Sequence, residues 1–132
     1  MTTRSPAPPI ATAPPATRIV QTCAVLSALV LLFQFATAGQ LLSGSDVLSA
    51  HGAGAVGLHV ATGGLLAGTV LHARATGVRW PAVVAAVTFA ATFVQAALGS
   101  AAVMSAHVPG ALAVTGGVVW LLVWAFLRRP GR

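Results

Sequence analysis

Acid is nearly absent from this chain. Its 132 residues include one carboxylate side chain, Asp46, and one cysteine, Cys23. A lone carboxylate leaves no pair for general acid/base work, and neither a Ser/His/Asp set nor a phosphate-cradling loop is present. Asp46 reads as a loop residue or turn former. A lone cysteine excludes a disulfide framework or a thiolate metal site within one chain, and Cys23, inside an apolar run, reads as a small core hydrophobe. Charge of either sign is scarce, with 6% of residues charged against 57% hydrophobic, where a soluble domain averages about a quarter charged. So little charge cannot cover a water-facing surface, and with a mean hydropathy of +0.90 the chain reads as an integral membrane protein in contact with the lipid bilayer. The net charge of +6 comes from seven arginines. They form no stripe beside stacking aromatics, so nucleic acid is not an expected partner.

Residues 1–17 hold Pro6, Pro8, Pro9, Pro14 and Pro15, which remove backbone donors and block helix, and this segment is expected to be a disordered tail. Four apolar runs follow, at about 19–42, 50–73, 81–103 and 108–127. Each has the roughly 20 residues that a helix needs to cross ~30 Å of hydrocarbon. Continuous apolar runs without strict alternation exclude a barrel and leave helices. The connections are short, which makes sequential helices antiparallel. The expected architecture is therefore all-α: an antiparallel four-helix membrane bundle over 18–128, built as a pseudo-twofold repeat of two helical hairpins, with 129–132 as a second tail. Pro81 and Pro109 are expected in the first turns of helices 3 and 4, where a missing N–H costs little.

All arginines fall at the two termini (Arg4, Arg18, Arg128, Arg129, Arg132) or in the loop 73–80 (Arg74, Arg79). The loops 43–49 and 104–107 hold none. The positive-inside rule then puts both termini in the cytoplasm of a multi-pass plasma-membrane protein, with Trp80 and Trp124 as belt residues at that boundary. Ala36-Thr37-Ala38 looks like a signal-peptidase site after an apolar region. The length of the run, and a Gln34 with a counterpart in helix 3, favour retention of helix 1.

Two histidines occupy related places. Ser49-Ala50-His51 is followed by Gly54, and 56 residues later Ser105-Ala106-His107 is followed by Gly110. Each stands at the head of an apolar helix. Each follows a hydrophobic stretch with a Gln and a Gly, Gln34 with Gly39 and Gln95 with Gly99. Imidazole in lipid is costly and usually faces the bundle interior. His51 and His107 are expected at matching depth near the outer face, where two neutral imidazoles from opposite sides suit haem iron. Gly54 and Gly110, one turn on along the same face, would leave room for a porphyrin. Gln34 and Gln95 would lie near such a cofactor, or simply bond helix to helix. His59 is an alternative ligand, but it lies roughly 12 Å deeper and about 80° around the helix. It could instead bond a haem edge, a quinone or helix 3. His72, beside Arg74, is expected at the cytoplasmic interface. Gly64 and Gly68 form a GxxxG and are expected to bring helices close, with Gly116 and Gly117 doing the same on helix 4.

The stretch Phe93-Val94-Gln95-Ala96-Ala97-Leu98-Gly99, with His107 opening the next helix, resembles one half of haem A synthase. Members of that family hold a haem in each of two four-helix bundles, between a His on the second helix and a His on the fourth, positions that match His51 and His107. The likeness spans most of residues 30–125, and small uncharacterised four-helix membrane proteins share the outline. Leu48 stands where the family's catalytic bundle has a Glu, a second bundle is absent, and so is the outer-loop cysteine pair. The resemblance thus implies binding of one b-type haem, for electron transfer or haem handling, rather than haem A synthesis. A homodimer would rebuild the two-bundle arrangement. The competing expectation is a structural or accessory membrane subunit without a cofactor, and a weaker one is transport.

Overall fold

A computed structural model describes residues 15–127. They form four helices and, among the described residues, no strand: α1 (Pro15–Leu42), α2 (Leu48–Thr76), α3 (Trp80–Ser100) and α4 (Met104–Leu127). All four are long and apolar enough to cross a membrane. The expected tails 1–14 and 129–132 lie outside the described residues.

Several helix ends differ from the sequence expectation, α2 extending to Leu48–Thr76. Residues 15–17 are helical, because Pro15 opens α1, a position where proline's fixed φ suits the helix and no N–H is missed. Helix α3 stops at Ser100, and the chain turns through Ala102 at φ 55. Helix α4 starts at Met104, so Pro109 stands inside it rather than in its first turn. Pro109 has no N–H to offer the Ser105 carbonyl. Pro81 does occupy the first turn of α3. Between α2 and α3, Gly77 adopts φ +77 and its N–H bonds the Ala73 carbonyl at 2.8 Å, a left-handed cap that glycine provides without strain.

Helix α1 packs against α2 and α4, and α3 likewise against α2 and α4, closing a ring. One core cluster joins Val20, Ala24, Leu65, Ala85, Leu121 and Ala125 from all four helices, and a second joins Leu31, Leu58, Val114 and Val118. The interior is otherwise built from small and hydroxyl-bearing residues, including Ser27, Thr37, Thr62, Thr69, Thr88 and Thr92. Several of these hydroxyls bond a carbonyl one turn back, as Ser27 does to Cys23 at 2.8 Å and Thr62 to Leu58 at 2.7 Å, which satisfies them without water. Many large side chains point outward: Leu32 is 66% exposed, Val60 72% and Leu112 62%. Small residues at helix contacts and apolar residues on the outer surface are compatible with packing in lipid, where close approach favours helix association.

The buried positions keep a constant offset. On α1 they include Val20, Ala24, Ser27 and Leu31, and on α3 Pro81, Ala85, Thr88 and Thr92, each 61 positions later. On α2 they include Leu58, Thr62, Leu65 and Thr69, and on α4 Val114, Val118, Leu121 and Ala125, each 56 positions later. The Gly64/Gly68 pair brings α1 close, as expected. A Cβ on Gly64 would meet Cys23 Sγ at 2.9 Å, and one on Gly68 the Val20 backbone nitrogen at 3.2 Å. Gly117 lies under Thr88, but Gly116 faces open space and contributes no packing.

Candidate functional site

His51 and His107 are each the fourth residue of their helices. Each backbone N–H closes the first turn onto a valine carbonyl, His51 onto Val47 and His107 onto Val103, both at 2.9 Å. Both residues are half-buried.

Each ring has one nitrogen engaged by the preceding helix. His107 Nδ1 donates to the Gln95 carbonyl at 2.9 Å. A carbonyl only accepts, so the proton is on Nδ1 and the lone pair is on Nε2. His51 Nδ1 lies 2.8 Å from Thr37 Oγ1. The single Thr37 hydroxyl proton is directed at the Phe33 carbonyl at 3.0 Å and the Gln34 carbonyl at 3.1 Å. With that proton on a carbonyl, the Thr37 oxygen accepts from His51 Nδ1–H, the tautomer that matches His107. Two neutral imidazoles with Nδ1–H bonded and Nε2 basic form the donor set of metal-ligating histidines, whose orientation such bonds fix. The donor chemistry fits a bis-imidazole haem.

The glutamines and glycines form a matched device beside the rings. A Cβ on Gly54 would meet the Gln34 amide at 2.5 Å and the Phe33 ring at 2.9 Å, and one on Gly110 would meet Gln95 Cδ at 2.9 Å. The space above the two glycines is thus occupied by the glutamine side chains. With its amide turned to satisfy both atoms, Gln34 donates to the His51 carbonyl at 2.9 Å and accepts from the Ala55 N–H at 3.1 Å. Gln95 donates to the His107 carbonyl at 3.1 Å, and its Oε1 is buried with no hydrogen-bond partner among the described residues. Gly99 adds a further close approach, because a Cβ there would meet His107 Cε1 at 3.0 Å.

The other histidines lie apart from this pair. His59 Nδ1 donates to the Ala55 carbonyl of its own helix at 2.6 Å, and its ring stands edge-on to Phe93 of α3, 4.0 Å between centroids. His72 faces the bundle interior: it is 3% exposed. Its ring stacks edge-on with Trp124 at 5.4 Å and its Nε2 lies 3.1 Å from Thr76 Oγ1. Two residues along a helix is a turn of about 200°, so Arg74 faces outward while His72 faces in. Sequence reasoning did not single out Thr37. Its place in an Ala-Thr-Ala run gave no sign that it would hold a histidine ring.

Among the described residues no cluster of three or more His, Cys, Asp or Glu side chains is placed to hold a metal ion, so any metal at this site would rest on two imidazoles. Comparison with protein-family models, with curated proteins and with solved structures finds no match for this chain.

Proposed function

We propose that this protein is a multi-pass membrane protein whose four antiparallel helices repeat one helical hairpin twice, and that it binds one b-type haem between His51 and His107 for electron transfer or haem handling. The observation that carries the proposal is the matched placement of the two rings: each stands fourth in its helix with Nδ1 engaged by the preceding helix, an arrangement that leaves Nε2 basic when Nδ1 carries the proton. The constant offsets of the buried residues support the twofold repeat. The arginine distribution supports cytoplasmic termini and an outer site, and the likeness to half of haem A synthase supports haem over a bare ion. Iron held by two imidazoles supplies one-electron exchange without an open position for substrate. Around it, Thr37 and the Gln95 carbonyl would orient the rings, while Gln34 and Gln95 would fix the helix turns that carry them.

The experiment is expression in haem-replete cells followed by an absorbance spectrum of the purified protein. A bis-imidazole spectrum lost in both His51→Ala and His107→Ala is the expected result, and a colourless wild-type protein would refute the proposal. The second reading, an accessory subunit without a cofactor, is favoured by the fill of the Gly54 and Gly110 grooves by glutamine. It expects co-purification with a membrane partner that is indifferent to the double histidine substitution.

A further inference from the structure

The arginine-bearing end of the molecule carries a feature unrelated to the histidine pair. An open groove of about 640 Å³ runs between α2 and α3. Its walls are apolar, with Leu66 and Val70 on α2 and Val83 and Val87 on α3, and Arg74 and Arg79 stand at its upper end. Val83 is 61% and Val87 65% exposed. The three-residue connection 77–79 holds the two arginines across the groove mouth, with the Gly77 cap fixing one side and Arg79 serving as the N-cap of α3.

We propose that this groove binds an anionic phospholipid, its phosphate between Arg74 and Arg79 and an acyl chain along the apolar walls. The dimensions agree with this occupant. From Leu66 to Gly77 is about 16 Å along the helix axis, close to the depth of one leaflet, which is half of the ~30 Å hydrocarbon core. The charge agrees as well. The chain's one acid, Asp46, precedes α2 while Arg74 lies in its last turn, a separation of about 40 Å along the axis, so it cannot neutralise these arginines. Basic pockets between spanning helices on the cytoplasmic side are the sites that anionic headgroups take. A second groove, between α1 and α4, has a single arginine, Arg18, with Gln21 and Thr22 beside Val25, Leu26 and Phe126; it lacks the arginine pair and supplies an internal control. The proposal rests on the bilayer part of the functional reading and is independent of haem.

The test uses the full-length protein in neutral detergent, titrated with phosphatidylglycerol, with phosphatidylcholine of the same acyl chains, and with inorganic phosphate, with bound lipid read by native mass spectrometry. Phosphatidylglycerol is expected to bind at least tenfold tighter than phosphatidylcholine, and phosphate alone not to compete. Each arginine near an anionic surface is worth about fivefold in affinity, so Arg74→Gln with Arg79→Gln should cost roughly 25-fold for phosphatidylglycerol and little for phosphatidylcholine. Val83→Trp, at an exposed position that tolerates bulk, should weaken both lipids, and Arg18→Gln should leave the preference intact. Equal binding of the two lipids, effective competition by phosphate, or a preference that survives the double arginine substitution would overturn the proposal. Alkaline extraction of the membranes is read separately: release of the chain from the bilayer would sink the membrane reading itself.

Discussion

Gln95 and His107 bond each other twice, the Gln95 amide donating to the His107 carbonyl at 3.1 Å and the His107 ring donating to the Gln95 carbonyl at 2.9 Å. One residue of α3 thereby fixes both the backbone turn and the ring of its partner on α4. In the other half of the molecule these duties are divided, with Gln34 holding the His51 backbone and Thr37 holding its ring.

This difference makes the two glutamines unequal in energy. Gln34 makes two hydrogen bonds, whereas Gln95 makes one with its amide and buries an unpartnered oxygen. A hydrogen bond between membrane helices is worth about 0.6 kcal/mol on average, and an unsatisfied buried acceptor costs about 1–3 kcal/mol. Gln34→Leu is therefore expected to destabilise the bundle by about 1–2 kcal/mol, while Gln95→Leu, which removes the orphaned oxygen along with its bond, is expected to be neutral or to stabilise by up to about 2 kcal/mol. Unfolding in mixed micelles measures both, and equal losses would show that the amides contribute only through shape.

Thr37 is expected to act on ligand binding through the His51 ring. Thr37→Val keeps the shape and removes the acceptor for Nδ1–H, freeing the ring to rotate or change tautomer. Loss of such a supporting bond typically costs 10–100-fold in metal affinity. Haem titration of the Thr37→Val protein should show a weakening of that order, and Thr37→Ser should restore binding. If valine and serine behave alike, the hydroxyl serves only the carbonyls of its own helix.

The four helices were legible because apolar length alone specifies a span, and no competing pattern interrupts it. Their ends were not. Pro109 looks like a first-turn proline, yet the Val103 carbonyl accepts from both the Ala106 and His107 N–H groups, and the helix starts at Met104, four residues before the expected 108. The histidine pair was legible from its repetition. The fill of the adjacent glycine grooves was not, because which side chain reaches a glycine depends on helix rotation, and linear spacing does not record it. That His72 faces inward was not legible, because its neighbour Arg74 marks the depth of the turn but says nothing of the direction the imidazole faces.

The glycines give a stability prediction with opposite outcomes. At Gly54 a methyl group would displace the Gln34 amide and the Phe33 ring, and overpacking of this kind costs about 1–3 kcal/mol. At Gly116 nothing lies within 4 Å of the added carbon, and a change there should stay within about 0.5 kcal/mol, as for surface positions free of special contacts. Gly54→Ala and Gly116→Ala compared by thermal unfolding should separate clearly. Matching behaviour would mean that the Gln34 contact yields without cost.

The choice between the two histidines of α2 near the candidate site can be made by a change of ligand rather than by loss. His59 spends Nδ1 on its own helix and presents its ring to Phe93, a contact that another aromatic ring can make, so His59→Phe should leave the haem spectrum and its midpoint potential unchanged. His51→Met replaces a basic imidazole by a thioether that iron still accepts, and a Met/His pair raises the reduction potential relative to two imidazoles. Potentiometric titration of the His51→Met protein should show an upward shift with the low-spin spectrum retained. A histidine that served only helix contacts would leave the potential where it was, and a shift in His59→Phe instead would move the ligand one turn pair deeper along α2.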